Sequence, residues 1–438
     1  MDTTDVPTKT ETKLKRIAWL SSRDERKVFN SLMHLFNEES LRDCFNELDG
    51  KKAVGIDGVD KAQYQESLDE NIKDLIARMK GMTYRPYPVR QVRIPKEGMP
   101  GVTRPLGISN FEDKLVQKMT QKVLESIYDP IFHACSYGFR RGKGCHDAIR
   151  DVSTYLFRYE VQVVIDVDLA NFFGTIDHKL LESILREKIR DERFIRYLIR
   201  MFKAGVLAEG ELILSEEGVP QGSPCSPVLA NIFAHYVIDE WFETTVKRHC
   251  AGRAELFRYG DDAVICCQDK RDAKRIKKAL GNRLSKYGLK LNEEKTELVT
   301  FSKREANRGI KQGAFNFLGF MFYIGRSSNG FPIPKVKTNG KRFRAKLKKV
   351  NEWARRVRNL FELKEIWKSF CVRLEGHIRY YGVSFNTQKV AAFRHQAIRI
   401  VFKWLNRRSQ RKSFDWERFS LFMKSFPPPK ARVWCALY

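Results

Sequence analysis

Residues 255–267 read Glu-Leu-Phe-Arg-Tyr-Gly-Asp-Asp-Ala-Val-Ile-Cys-Cys, so that two mostly apolar arms flank a Tyr-Gly-Asp-Asp turn at 259–262. Asp and Gly are ordinary turn residues, and an isolated Gly-Asp-Asp is best explained as a solvated turn. Here the apolar arms indicate a buried β-hairpin, in which Gly260 permits the tight turn. The pattern therefore predicts that Asp261 and Asp262 stand together at the tip of a hairpin set in a core.

A second predicted strand also carries acids at its end. Val163-Val-Ile165 marks a buried strand, and Asp166-Val-Asp168 follows it directly. Successive side chains alternate between the two faces of a strand, so Asp166 and Asp168 share one face. A charged edge strand is the alternative, but the apolar run before the acids favours a metal site. Clustered carboxylates are the ligands that hard divalent cations need for the in-line phosphoryl displacement of a polymerase.

The rest of the chain mixes strand-like and helical patterns. Alternating residues at 85–94 and the segment Arg104-Pro-Leu-Gly-Ile108 predict a hairpin with a basic residue on each arm. From Lys341 onward the pattern is helical, and it interleaves Lys and Arg with aromatic residues such as Trp353 and Trp367. We therefore expect an α+β domain followed by an all-helical basic domain.

The charge points to a polyanionic partner. The 438 residues include 81 Lys and Arg against 53 Asp and Glu, a formal net charge of +28. Residues 331–438 hold 27 of these basic residues and only 6 acids. Nucleic acid is the usual partner of such a chain, and a membrane surface is the rival. We find no signal peptide, no apolar run long enough for a bilayer and no paired Cys spacing, so we expect a cytoplasmic protein with reduced thiols and no membrane partner.

These motifs, taken in order, resemble those of bacterial group II intron-type reverse transcriptases, also called maturases. The resemblance covers about Ala53 to Phe322 and continues more weakly into the basic C-terminal part. The matching blocks are Gly55-Ile-Asp-Gly58, Arg104-Pro-Leu-Gly-Ile108, Ser136-Tyr-Gly-Phe-Arg140, Asp168 through Phe173, Pro220-Gln-Gly-Ser-Pro224, Tyr259-Gly-Asp-Asp262, Leu291-Asn-Glu-Glu-Lys-Thr296 and Phe317-Leu-Gly319. No paired Cys and His pattern precedes Tyr438, as in compact forms of the family without an endonuclease.

The resemblance implies a right-hand polymerase fold and a role for each matched residue. It implies that Asp168, Asp261 and Asp262 bind two Mg²⁺ ions, with Mn²⁺ as an alternative. Lys96 and Arg104 match finger residues that hold the incoming triphosphate, which suits the planar fork of arginine. The remaining matches are Gln221, beside the nucleotide sugar and base, and Arg140, in a loop that contacts the template.

Phe173 bears on whether the product is DNA or RNA. Viral RNA-dependent RNA polymerases also carry Gly-Asp-Asp, but they usually have a second Asp five residues after the first catalytic one, to accept the ribose 2′-hydroxyl. This chain has Phe173 at that position, where a bulky ring would clash with the hydroxyl. Both Phe172 and Phe173 could instead be core residues, and the spacing favours the steric gate for Phe173 and the core for Phe172. We therefore expect synthesis of DNA.

Composition, charge and the resemblance together divide the chain into four parts. These are a tail at 1–25, frayed to about Lys13, fingers and palm at 26–330, a helical thumb and maturase-like region at 331–382, and a basic nucleic-acid-binding extension at 383–438. The implied partners are an RNA template, a DNA primer, dNTPs and a dedicated structured RNA. The alternatives are a domesticated role in phage defence or CRISPR-type adaptation, a non-catalytic RNA-binding splicing factor, and an RNA-dependent RNA polymerase.

Overall fold

The computed structural model of this protein describes residues 8–95, 101, 103–208, 210–220, 222–408 and 415–438. The α-helices of this part are α1 (Lys9–Arg23), α2 (Glu38–Glu47), α3 (Lys61–Glu66), α4 (Leu68–Lys80), α5 (Phe111–Tyr128), α6 (Cys145–Arg158), α7 (His178–Lys188), α8 (Glu192–Lys203), α9 (Ser226–Ala234), α10 (Lys270–Lys286), α11 (Lys303–Asn307), α12 (Gly340–Val357), α13 (Leu363–Tyr381), α14 (Thr387–Leu405) and α15 (Trp416–Ser425). Two π-helical segments, His235–Asp239 and Phe242–Val246, continue from α9. The strands are β1 (Val89–Pro95), β2 (Thr103–Ile108), β3 (Val163–Ala170), β4 (Val206–Ala208), β5 (Glu211–Ile213), β6 (Ala254–Tyr259), β7 (Asp262–Cys267), β8 (Lys290–Leu291), β9 (Glu297–Thr300), β10 (Ala314–Phe317), β11 (Phe320–Arg326) and β12 (Pro332–Thr338).

An antiparallel sheet with the order β6-β7-β3-β8, and with β9 also paired to β3, carries the acidic motifs. Its central strand β3 is packed between two hydrophobic cores. Every second residue from Val163 to Leu169 joins the core that includes α10, whereas Val164 joins the core on the other face. The strand alternation therefore puts Asp166 and Asp168 on the face opposite α10. This confirms the predicted buried strand and the predicted β6–β7 hairpin.

A second sheet has the order β2-β1-β4-β5. Strands β1 and β2 form the predicted antiparallel hairpin, in which Ile94 lies opposite Arg104. Most residues of both strands are exposed or half-buried. Residues 96–100 and 102, at the tip of this hairpin, lie outside the described residues. Beyond the short pairing of β1 with β4 at Val89 and Arg90, the hairpin is therefore a two-stranded ribbon with little core of its own.

The predicted fraying to about Lys13 is wrong for residues 9–13, because residues 9–23 of the predicted tail form helix α1. Thr8 caps this helix by accepting a hydrogen bond from the Glu11 amide. Ile17 and Ser21 are buried one turn apart, and the Ser21 hydroxyl donates to the Ile127 carbonyl on α5. The prediction failed because the exposed face of α1 is so polar that it outweighs a narrow buried stripe.

The C-terminal part is largely helical, as predicted, but residues 332–338 form strand β12 rather than helix and pair with β11. Helices α12 to α15 enclose buried aromatic residues, among them Trp353, Trp367 and Trp404. Helix α14 packs against both α12 and α13, so the predicted division at 383 runs through one helical bundle. Within the described residues, no helix combines the length and the apolar character required to cross a bilayer.

Candidate active site

Strand register brings the separate acidic motifs together. Asp168 on β3 is the cross-strand partner of Asp262 on β7, and Asp262 also pairs with Tyr259 on β6. Directly opposed residues of an antiparallel pair have Cβ atoms about 4.5–5.5 Å apart. Gly260 turns the chain between β6 and β7 with a φ of 65°, and Asp261 follows it in the turn. The Asp168 carboxylate and the adjacent pair Asp261 and Asp262, from two distant segments of the chain, thus meet at one end of the central sheet.

The surroundings of these acids are crowded with negative charge. Burial raises the pKa of Asp166 to about 6, with Asp262, Glu297 and Asp168 adding to the shift and the Asn316 amide opposing it. The Asp168 side chain is 41% exposed, and Lys295 Nζ lies 3.7 Å from its Oδ2 atom. Among the described residues, no group of three His, Cys, Asp or Glu side chains is arranged so that it could coordinate a metal ion by itself. The fit to a metal therefore rests on the donor chemistry, because exposed carboxylates are the ligands that Mg²⁺ accepts together with water and phosphate oxygens.

We call residues 259–262 the catalytic turn. A fully buried arginine, Arg258, holds this turn in place. The Arg258 side chain has no exposed surface, and it forms an ion pair with Asp239 through bonds of 2.7 Å from Nε and 2.5 Å from Nη2. Nη1 donates to Asn231 Oδ1 at 3.0 Å and to the Gly260 carbonyl at 3.1 Å. Nη2 also donates to Ser136 Oγ at 2.8 Å. All five N–H donors of the guanidinium are therefore satisfied. Because Asn231 belongs to α9, which follows the Pro-Gln-Gly loop, Arg258 connects the turn to that helix.

Sequence reasoning did not identify this network. It treated Arg258 only as part of a mostly apolar arm, and it assigned no role to Asp239 or Asn231. The available signal was a lone arginine inside a buried strand, which requires an acidic partner, because unpaired buried charges are very costly. The identity of that partner, 19 residues away, depends on tertiary packing.

The Ser136–Arg140 loop packs directly on the catalytic turn. A Cβ atom placed on Gly138 would lie 2.5 Å from the Gly260 nitrogen, so only glycine fits there. Asn231 Nδ2 donates to the Gly138 carbonyl at 2.6 Å. The exposed Phe139 ring lies edge-on to Phe173, with the centroids 6.5 Å apart. The loop therefore connects the catalytic turn to the segment that follows β3.

Arg140, which was predicted to contact the template, makes its side-chain contacts within and next to this loop. Its side chain is 10% exposed and pairs with Asp129 at 2.6 Å. Its two terminal nitrogens donate to the main-chain carbonyls of Asp129, His133 and Ser136. The geometry gives Arg140 a role in holding the loop, and it does not support the predicted contact with a template.

Phe172 and Phe173 differ in burial, and the core position predicted for Phe172 is confirmed. Phe172 is 2% exposed and belongs to the core, whereas Phe173 is only partly buried. The Phe173 carbonyl accepts a 2.8 Å hydrogen bond from the Val219 amide, which ties this segment to the Pro-Gln-Gly loop. Gly222 in that loop is so near to β2 that a Cβ atom on it would lie 2.4 Å from the Gly107 carbonyl oxygen. The segment after β3, the loop and the base of the β1–β2 hairpin therefore meet.

Of the predicted nucleotide-binding residues, two lie outside the described part of the chain. They are Lys96 and Gln221. Arg104 is described, and it is exposed on β2, three residues before Gly107.

A cleft of about 730 Å³ separates the catalytic turn from the helical bundle. Tyr259, Asp261 and Asp262 line one wall. The other wall carries four basic residues, which are Arg342, Lys346, Lys349 and Arg373. The Tyr380 hydroxyl of α13 donates to the Leu318 carbonyl at 2.8 Å, and the His146 ring bonds the Tyr380 carbonyl at 2.7 Å. The cleft therefore presents an acidic wall to a basic one across a space that can admit a polyanion.

The family model for reverse transcriptase (RNA-dependent DNA polymerase) matches residues 94–322, which include every element of the acidic site. The chain belongs to the reverse transcriptase family. Within that family it is similar to proteins encoded by group II introns, as the motifs predict. It is 30% identical to the group II intron-encoded protein LtrA of Lactococcus lactis subsp. cremoris over 288 residues, 66% of this chain and 47% of that protein.

Two further relatives are also similar to part of the chain. Protein YkfC of Escherichia coli (strain K12) is 36% identical over 213 residues, 48% of this chain and 54% of that protein. A putative COX1/OXI3 intron 1 protein of Saccharomyces cerevisiae is 30% identical over 307 residues, 59% of this chain and 34% of that protein. The chain spans about half the length of YkfC and about half the length of LtrA.

Proposed function

We propose that this protein is an RNA-directed DNA polymerase of group II intron type, which extends a DNA primer with dNTPs on an RNA template. The observation that carries the proposal is the pairing of Asp168 with Asp262 beside Asp261, at the edge of a cleft with a basic opposite wall. Membership of the reverse transcriptase family supports the same reaction.

We assign the parts of a right-hand polymerase to the elements of the fold. The palm is the sheet of β3 and β6 to β9, the fingers include the β1–β2 hairpin, and the thumb includes α12 to α14. The basic residues of α12 that face the catalytic turn, such as Lys346 and Lys349, support this assignment because they can follow the backbone of a primer–template duplex.

Asp168, Asp261 and Asp262 would hold two Mg²⁺ ions. When bound, such ions lower the pKa of the attacking 3′-hydroxyl and neutralise charge on the transferred phosphate. The polypeptide fixes the carboxylates in place through the β3–β7 register and the Arg258 network. Lys295 lies within 3.7 Å of Asp168 and balances part of the charge.

The residues around Phe173 would select the incoming nucleotide. Arg104, with Lys96, would bind the triphosphate, since its fork matches two phosphate oxygens. The partly buried Phe173 ring would lie against the sugar and exclude a 2′-hydroxyl, with Gln221 nearby. The contact between Gly222 and Gly107 supports this arrangement because it joins the Pro-Gln-Gly loop to the arm that carries Arg104.

Primer extension tests the proposal. The wild-type chain is given an RNA template, an annealed DNA primer, dNTPs and Mg²⁺, beside Asp261→Ala/Asp262→Ala. We expect extension by the wild type alone, with equal binding of the primer–template by both proteins. If both proteins bind RNA and neither extends the primer, the chain is an RNA-binding module and the proposal fails. If the wild type extends with NTPs in preference to dNTPs, it is an RNA polymerase and the proposal fails as well.

A further inference from the structure

Helix α10 carries a strongly basic face outside the cleft. Its 17 residues contain eight Lys or Arg and a single acid, Asp272, which is buried. The buried positions, which include Ala273, Ile276, Leu280 and Leu284, form one stripe that joins the core. The exposed positions form the opposite stripe, which carries Arg271, Lys274, Arg275, Lys278 and Lys286. The helix is thus amphipathic, with one apolar face and one cationic face.

The cationic face of α10 points away from the catalytic cleft. The core that α10 joins receives the odd-numbered residues of β3 and β7, such as Ile165 and Ile265. Asp168 and Asp262 have even numbers and lie on the other face of the same sheet. A nucleic acid bound in the cleft therefore cannot reach this surface without passing around the palm.

A groove next to α10 extends the cationic surface. It encloses about 790 Å³, and Lys290 of β8 lines it together with Lys274, Lys277 and Lys278. One acid, Glu293, lines it too and lies 3.8 Å from Lys277. Within the described chain, Lys274, Lys278 and Lys286 have no acidic partner within 4.0 Å. From Lys274 to Lys286 the helix rises about 18 Å.

We propose that this surface, the exposed face of α10 with Lys290, binds the phosphate backbone of a folded RNA while the cleft holds the primer and template. The proposal rests on the proposed function in assuming that a separate template occupies the cleft. Phosphate contacts from lysine supply affinity without base recognition. The exposed stripe has Ala279, Asn282 and Ser285 between its cations and no aromatic ring of its own. Trp241, which lines a groove with Arg275 and Lys278, is partly buried against the core, so the surface offers little area for stacking single-stranded bases. It also lacks the large apolar residues that a helix needs to bind a membrane surface.

The test measures binding of a second RNA to a filled cleft. The full chain is first loaded with excess RNA template and a primer ending in a dideoxynucleotide, with the next dNTP and Mg²⁺. A labelled blunt RNA duplex of about 16–20 base pairs is then titrated against the complex at several salt concentrations. We expect one duplex to bind per complex. In Lys274→Gln/Lys278→Gln/Lys286→Gln we expect affinity about tenfold to hundredfold weaker, and a salt dependence reduced by about one ion per lysine.

Two control variants make the result specific. Lys274→Arg/Lys278→Arg/Lys286→Arg keeps the charge and should bind like the wild type. Lys13→Gln/Lys73→Gln/Lys80→Gln removes the same charge from exposed positions on α1 and α4 and should weaken binding much less. Equal losses in the two glutamine variants, failure of the loaded complex to bind the duplex, or binding only to anionic lipid vesicles would overturn the proposal. Primer extension by the same protein variants on an unblocked primer separates this failure from failure of the proposed polymerase, since Lys274, Lys278 and Lys286 lie behind the catalytic sheet.

Discussion

The palm sheet and the β1–β2 hairpin position charged residues in opposite ways. In the palm, β3 is packed between two cores, and Arg258 behind the catalytic turn is fully buried with every donor used. In the hairpin, most residues of β1 and β2 are exposed, and Arg104 faces solvent.

This difference matches the separate demands of the proposed reaction. Carboxylates that share two metal ions must be held to a fraction of an ångström, and a doubly packed sheet with a buried ion-pair network provides that rigidity. A residue that meets an incoming triphosphate must reach it and let the product go, and a two-stranded ribbon with little core can move to do so. If the comparison is right, substitutions in the palm should abolish chemistry, whereas substitutions in the hairpin should weaken substrate capture.

The largest effect is expected for Asp262→Asn. The amide keeps the shape of the side chain but removes the negative charge that a metal ligand needs, so primer extension should fall at least about a thousandfold. The thermal unfolding midpoint should stay near that of the wild type, because Asp262 is exposed. Single-turnover extension with a saturating primer–template measures the effect. Activity within tenfold of the wild type would remove Asp262 from the proposed site.

Arg258→Met should damage both stability and activity. It leaves Asp239 as a buried charge without a partner, at a cost of about 3–5 kcal/mol in the free energy of unfolding. Urea unfolding measures this loss. Arg258→Met/Asp239→Leu removes both charges and should recover most of the stability.

The double variant separates a positioning role from a structural one. Its catalytic turn still lacks the hydrogen bond from Arg258 to the Gly260 carbonyl. We therefore expect the rate of the chemical step to stay low, while the dissociation constant for primer–template is unchanged. Full recovery of the rate together with stability would show that the network serves only to hold the fold.

Arg104→Ala tests the hairpin side of the comparison. Loss of a charge-assisted hydrogen bond to phosphate costs about 1.5–3 kcal/mol, which is about 10-fold to 100-fold in kcat/KM for the dNTP. The loss should appear mostly as a higher KM, and the unfolding midpoint should not change. Arg93→Ala is the matched control, because Arg93 is exposed on β1 of the same hairpin. An equal effect of both variants would mean that general charge, rather than a specific contact, attracts the nucleotide.

Phe173→Val concerns the region where the palm meets the hairpin. A smaller side chain leaves room for a 2′-hydroxyl, so the preference for dNTP over NTP should fall by about tenfold or more. Competition between the two nucleotides in primer extension gives the ratio. Phe139→Leu changes the neighbouring ring and should leave the preference intact. Unchanged selectivity in Phe173→Val would rule out its assignment as a steric gate.

The same comparison explains which features could be predicted from the sequence. Alternation along β3 and the turn at Gly260 are local properties, so the sequence predicts the shared face of Asp166 and Asp168 and the hairpin tip. The pairing of Arg258 with Asp239 and the internal use of Arg140 depend on which distant segments meet, and no periodicity encodes them. Helix α1 was missed because a polar surface conceals its narrow buried stripe. Phe172 was correctly placed in the core, whereas the role of Phe173 as a steric gate, which rests on its spacing from Asp168, stays a prediction.

The last prediction contrasts two buried acids and concerns stability rather than activity. Asp239 in the palm is paired with a cation, whereas Asp113 on α5 accepts hydrogen bonds from the Tyr84 hydroxyl and the Tyr87 amide, which are both neutral. Burial raises the pKa of Asp113 to about 7, from 3.8 for an ordinary Asp, despite these bonds. The folded state therefore keeps a proton that the unfolded chain has lost, and the stability that Asp113 contributes below pH 4 falls by about 1.4 kcal/mol per pH unit until about pH 7. Asp113→Asn should reduce this dependence in urea unfolding between pH 5 and pH 7, and an identical dependence in both proteins would show that Asp113 ionises normally in the folded state.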